Sequence, residues 1–128
     1  MRDRHQAVVE RTSGGALVVE VRGELDIGTV LRWTTLIEAA ICELPEPHLL
    51  VLDLMALEFL SAQGVRGLFA AIECCRDRGT AGCLIVNPGS VADRVVRMAG
   101  LADRVRVFPN RLTAIAACQP VEMRWLPG

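Results

Sequence analysis

Ser61 opens the run Ser61-Ala62-Gln63-Gly64, a short way past the apolar stretch Leu49-Leu50-Val51-Leu52-Asp53. Serine at such a strand-to-helix turn serves as a helix N-cap, its hydroxyl accepting from a free N–H of the first helical turn. The remaining N–H groups and the helix dipole favour a phosphate or an acidic partner group, which makes this turn the expected functional site. Ser61 does not read as a hydrolase nucleophile. It lacks the Gly-x-Ser-x-Gly setting, and His48 opens a strand at the far end of the sheet. Two carboxylates compete for roles: Asp26, with Thr29, is placed to cap a helix, and Asp53, at the end of a strand, is placed to bond the loop that carries Ser61.

Five cysteines, Cys42, Cys74, Cys75, Cys83 and Cys118, supply the remaining reactive groups. An odd number in a chain whose first residues, Met1-Arg2-Asp3-Arg4-His5, hold no apolar signal core is expected to stay as reduced thiols packed as small hydrophobes. Cys74 and Cys75 point about 100° apart on a helix and cannot easily join each other. Cys74, expected on the exposed face, is the candidate for oxidation or for a bridge to another chain. With no Cys-x-x-Cys and with His5 and His48 far apart in sequence, no metal site is expected. All fourteen basic residues are arginine, which removes the chemistry of a P-loop lysine, a Schiff base or a general-base amine. A response-regulator receiver, which needs a lysine late in the chain, is excluded with them. No enzymatic activity and no cofactor are expected.

The 128 residues, 52% hydrophobic and 23% charged, have the material for one compact domain with a core, covering about 7–118, and a tail at 119–128. A net charge of −1 without a basic block draws the chain neither to nucleic acid nor to an anionic membrane. No stretch approaches the roughly 20 apolar residues that span a bilayer, so a cytoplasmic protein is expected.

The elements that must position these groups follow from periodicity. Ala7–Arg11 and Leu17–Arg22, separated by Thr12-Ser13-Gly14-Gly15, read as an N-terminal hairpin. Val30, Trp33, Ile37, Ile41 and Leu44 share one helix face, which Pro45-Glu46-Pro47 terminates. Leu49 to Leu52 shows no alternation, as in a strand covered on both faces of a partly parallel sheet. Beyond Ser61, a helix from Ala62 to Arg78 lays Val65, Leu68, Phe69, Ile72 and Cys75 on that sheet. Its other face gathers Gln63, Gly67, Ala70, Ala71 and Cys74, with Arg66 and Arg78 at the margins. Gly64 and Gly67 each cost a helix about 1 kcal/mol relative to alanine, and a docking face for another backbone would repay this. Looser packing within the same chain is the competing reading. Gly82–Val86 is a further strand, and a short helix after Asn87-Pro88-Gly89-Ser90 turns Val91, Val95 and Met98 inward before Gly100 ends it. Val105–Phe108 is the last strand, and Asn110 caps a final helix carrying Leu112 and Ile115, which Pro120 ends. Trp125 and Pro127 lie in the tail.

Gly23-Glu24-Leu25-Asp26, the strand ending at Asp53 followed by a Ser-x-x-Gly helix start, Arg78-Gly79 before a strand ending Val86-Asn87-Pro88, and Gly100-Leu101 before the last strand together resemble the STAS family, whose best-known members are bacterial anti-sigma factor antagonists. The resemblance runs from about Val18 to Cys118. It implies an α/β domain with a mixed sheet, an N-terminal hairpin plus parallel βαβ units, and about four helices. It also implies a protein partner, an anti-sigma factor with a serine-kinase fold, whose capture releases a sigma factor to regulate transcription. The partner-binding residues would then be Asp26, Ser61, Ala62, Gln63, Gly64, Arg66, Gly67, Ala70 and Cys74, in a monomer or weak dimer. In the family, phosphorylation of the first serine of an Asp-Ser-Ser-Gly turn reverses binding. Ala62 occupies that acceptor position here, and Ser61 stands where the family has aspartate, rotated roughly 100° about the helix axis. Ser61 is therefore a cap first and a phosphoacceptor second, and control by phosphate at this turn is not expected. A thiol- or ligand-responsive interaction module that does not act on a sigma factor is the alternative.

Overall fold

The computed structural model describes residues 7–11, 15–42 and 49–118. Its main sheet has five strands in the order β1 (Ala7–Arg11), β2 (Ala16–Val21), β4 (Leu49–Asp53), β6 (Ala81–Ile85) and β7 (Arg106–Phe108). β1 and β2 are the expected antiparallel hairpin, with Val9 opposite Val19, and every later pairing is parallel. The turn at Thr12–Gly14 lies outside the described residues, as do His5, Leu44, Pro45-Glu46-Pro47, His48 and the 119–128 tail with Pro120, Trp125 and Pro127.

All five residues of β4 are buried. The physical cause of the unbroken apolar run Leu49–Leu52 is cover on both sides, since successive strand residues point to opposite faces. Leu50 and Leu52 join Leu17, Val19 and Leu84 in the larger core, under Trp33, Ile37 and Ile41 of α1 (Val30–Cys42) and Val65, Leu68, Ile72 and Cys75 of α2 (Ala62–Asp77). Leu49 and Val51 face the other way, with Ala16, Val18, Cys83 and Ile85, against Ala114 of α4 (Arg111–Cys118). The apolar stripes read from helical spacing in α1 and α2 are thus the buried ones, with Phe69 and Val30 half-buried at their margins.

Two short strands were not legible beforehand. β3 (Gly23–Leu25) and β5 (Leu57–Leu60) form a separate parallel pair, with a register shift between Gly23 and Glu24. Leu25 and Leu60 are buried while Glu24, Glu58 and Phe59 face solvent, and this pair brings the end of β3 beside the start of α2.

The two last helices sit in other rotations than the expected ones. In α3 (Val91–Met98), Ala92, Asp93 and Val96 are buried, whereas Val91 and Met98 are 56% and 85% exposed; Val95 is half-buried. The polar contacts set that rotation: Ser90 Oγ accepts from Asp93 N at 3.1 Å, and the Asp93 carboxylate accepts from Gly89 N at 2.9 Å and Arg97 Nε at 2.8 Å. These bonds turn Asp93 inward and Met98 out. In α4, Asn110 Oδ1 accepts from Thr113 N at 2.8 Å, the expected cap, yet Ala114 is the residue at the sheet and Leu112 is exposed. The small Ala114 side chain lets the helix lie close on β4 and β6, with Ile115 half-buried beside it.

Candidate functional site

Ser61 joins β5 to α2 with extended backbone angles, φ −97° and ψ 172°. Its Oγ accepts from Gly64 N at 3.0 Å and its carbonyl accepts from Val65 N at 3.0 Å, so the capping role holds. Its own N–H donates to the Leu25 carbonyl at 3.0 Å, and its hydroxyl lies 3.5 Å from the same oxygen. The hydroxyl is thus held between the helix it caps and the end of β3. Ala62 and Gln63, the next two residues, are exposed.

The small residues of α2 divide into two sets. Gly64 is buried, and a Cβ there would overlap the carbonyl of Leu25. A Cβ on Gly67 would overlap Val30 Cγ2 of α1, and Ala71 is 1% exposed within the larger core. Gly64, Gly67 and Ala71 therefore serve close packing inside the chain: the expected outward docking face is corrected at these positions, because α1 and β3 already occupy the space. The stripe that does face solvent is Ala62, Gln63, Arg66 and Ala70, with Cys74 half-buried further along.

That stripe borders a groove the sequence did not announce. Ala62, Arg66 and Phe69 of α2 form one wall; Ala99, Gly100, Leu101 and Arg104 form the other, around a volume of about 450 Å³. The Arg104 guanidinium lies 5.0 Å from the centre of the Phe69 ring, a cation–π distance. Arg76 Nη2 donates to the Arg104 carbonyl at 3.4 Å, closing the far end between α2 and the 3-10 turn Leu101–Asp103. An apolar floor with Arg66 and Arg104 at its margins suits an acidic or amphipathic protein segment. The hint in the sequence was Phe69, a large residue at the edge of the buried stripe.

Asp26 lies next to Leu25 and so beside the Ser61 turn, but its carboxylate is committed. Oδ1 accepts from Gly28 N at 2.9 Å and Thr29 N at 3.1 Å, while Thr29 Oγ1 accepts from Asp26 N at 3.0 Å and donates to the Glu24 carbonyl at 2.9 Å. Asp53 is structural by a different route from the one expected. Oδ1 accepts from Met55 N at 3.0 Å and Oδ2 from Arg111 Nε at 2.8 Å, tying β4 to α4 and leaving the Ser61 loop to Leu25. Among the described residues, no group of three histidine, cysteine or acidic side chains is placed to hold a metal ion, and no helix is long and apolar enough to cross a membrane.

The STAS domain pattern matches residues 7–114. The anti-sigma-F factor antagonist RsfA of Mycobacterium tuberculosis is 30% identical over 102 residues, covering 80% of this chain and 79% of that one. The crystal structure of an anti-sigma factor antagonist from Mycobacterium paratuberculosis superposes with a TM-score of 0.79 at 28% identity, over 90% of this chain and 94% of that one. The Bacillus cell fate determinant SpoIIAA in its phosphorylated form shares the fold, with a TM-score of 0.64 at 20% identity, over 88% of this chain and 98% of that one.

Proposed function

The chain belongs to the STAS domain family, and from that premise we propose that it is an anti-sigma factor antagonist: it binds an anti-sigma factor and thereby frees a sigma factor to direct transcription. The observation that carries this reading is the 30% identity to such an antagonist across four-fifths of the chain. The whole of 1–128 acts as one such domain, with its core at 7–118, in the cytoplasm where transcription takes place. It works by contact and not by catalysis.

The exposed stripe Ala62, Gln63, Arg66 and Ala70, with the groove beside it, is the docking surface. The partner's serine-kinase fold, implied by the family resemblance, then meets a turn whose acceptor position is the methyl of Ala62. Ser61 offers a hydroxyl one residue upstream, but that oxygen is held by Gly64 N and the Leu25 carbonyl. In-line phosphoryl transfer needs the attacking oxygen within reach of the γ-phosphate, and an error on the order of an ångström costs about a hundredfold. Binding is accordingly not reversed by phosphate at this turn.

The test is capture of the anti-sigma factors of the source organism by the immobilised protein, followed by intact mass after addition of ATP and magnesium. A 1:1 complex that survives ATP, with no phosphate gained, is the expected result. Failure of every anti-sigma factor to bind refutes the antagonist reading, and stoichiometric phosphate on Ser61 refutes its phosphate-independent form.

A further inference from the structure

At the end of α2 remote from Ser61, three of the five cysteines converge with one arginine. Arg78 Nη1 donates to Cys42 Sγ at 3.0 Å, bridging the last residue of α1 and the C-cap of α2. The two helices run side by side in the same direction, since Val30 at the start of α1 packs on Gly67 and Cys42 at its end meets Arg78. Cys42 and Cys74 line one solvent-open groove of about 260 Å³ with Glu38, Ile41, Cys75 and Arg78. Cys42 is exposed, Cys74 half-buried and Cys75 buried.

These three thiols are not equivalent. Among the described residues, Cys42 is the one of the three whose sulfur accepts a hydrogen bond from the Arg78 guanidinium, at 3.0 Å, and it is the most exposed of them. Burial, and then the adjacent Cys74, push the Cys75 thiol up to about 11, which withdraws it from reaction at neutral pH. Cys74, half-buried, is the other solvent-reachable thiol lining the groove that holds Cys42.

We propose that Cys42 and Cys74 form a hydroperoxide-reactive dithiol, Cys42 reacting first and Cys74 resolving it into a disulfide that ties the end of α1 to α2. The Cys42 thiolate attacks one peroxide oxygen; the O–O bond breaks and the departing hydroxide or alkoxide takes up a proton, leaving Cys42 as the sulfenic acid. Cys74 sulfur then attacks Cys42 sulfur, the S–S bond forms, the S–O bond breaks and water leaves. The two thiols together give up two electrons and two protons, and the peroxide receives both. Cys42 ends its helix, so closing the gap adjusts a helix terminus and leaves the packed face of Trp33 and Ile37 in place. The site lies at the opposite end of α2 from the docking turn, and it stands whether or not the partner is an anti-sigma factor.

The experiment uses the full chain with hydrogen peroxide, followed by alkylation with iodoacetamide, intact mass and tryptic mapping. The expected product is a monomer that has lost the mass of two hydrogens, with peptide Trp33–Arg66 linked to peptide Gly67–Arg76. Cys75→Ser keeps the link, Cys42→Ser and Cys74→Ser abolish it, and Arg78→Gln slows loss of the Cys42 thiol several-fold. A link that persists in Cys74→Ser, covalent dimers as the main product, or Cys42 and Cys74 both still alkylated after peroxide would each overturn the proposal.

Discussion

The Ser61 N–H donates to the Leu25 carbonyl at 3.0 Å, across 36 residues of sequence, and this bond places the candidate docking turn at the end of β3. The turn is thereby anchored from two sides, through Leu25 and through the Gly64 N–H that the Ser61 hydroxyl receives. A hydroxyl restored one residue later would be exposed instead. If the proposed partner carries serine-kinase activity, Ala62→Ser is expected to gain phosphate from it in the presence of ATP and magnesium while the parent chain gains none, as read by intact mass. Phosphate on both proteins at comparable rates would contradict the assignment.

Removal of the cap alone has a thermodynamic signature. Ser61→Ala is expected to cost about 1 kcal/mol in urea unfolding, the usual loss for an N-cap serine. Gly64→Ala is expected to cost more, about 1 to 3 kcal/mol, because the added methyl meets the Leu25 backbone and not a flexible side chain. Equal stability of Gly64→Ala and the parent would show that α2 can shift away from β3.

Binding should separate cleanly from stability on the exposed stripe. Ala70→Arg is expected to leave the melting temperature unchanged and to abolish capture of the anti-sigma factor, while Leu68→Ala, buried at 1% exposure, costs about 2 to 5 kcal/mol. Calorimetric titration and thermal melts on the two variants decide this. An Ala70→Arg protein that binds with the parent's affinity would remove this stripe from the interface.

Acid should weaken the α3 region selectively. The Gly89 N–H, and then the Arg97 guanidinium, hold the Asp93 carboxyl below its ordinary range, against an opposing desolvation effect. A carboxyl depressed in the folded state contributes stability that is complete above the unfolded value of about 3.9 and is lost as pH falls through the lower folded value. The stability gap between the parent and Asp93→Asn is expected to be constant from about pH 7 to 5 and to narrow below about pH 4. A gap that widens on acidification would reverse the sign of the effect.

Periodicity made the central strands and the inward stripes of α1 and α2 legible, because a covered sheet and a half-covered helix each repeat their burial. The caps at Ser61 and Asn110 were legible from residue type. β3 and β5 were not, since three and four residues with exposed Glu24, Glu58 and Phe59 become strands only through each other. The rotation of α3 depended on a buried carboxylate, Asp93, whose partners Gly89 and Arg97 outweigh the preference for Val91 and Met98 inside. Gly64, Gly67 and Ala71 were recognisable as a small-residue set, but only the positions of Leu25 and Val30 decide that they are filled from within. The groove of Phe69, Gly100 and Arg104 joins residues too far apart in sequence for any spacing to connect.

The two faces of the main sheet are insulated very unequally. One lies under α1, α2 and α3, while among the described residues the other, with Val18, Leu49, Val51, Cys83 and Ile85, lies under the eight-residue α4. A helix of that length has little stability of its own in water. Its undocking is the expected lowest-energy opening of the fold, and it would bare a row of strand side chains able to adhere to another molecule. Deuterium uptake should therefore be faster in the amides of α4 than in those of α2, and Ala114→Asp should lower the concentration at which the protein remains dispersed well before it unfolds the sheet. Uptake in α4 as slow as in β4 would show that this thin cover is as secure as the thick one.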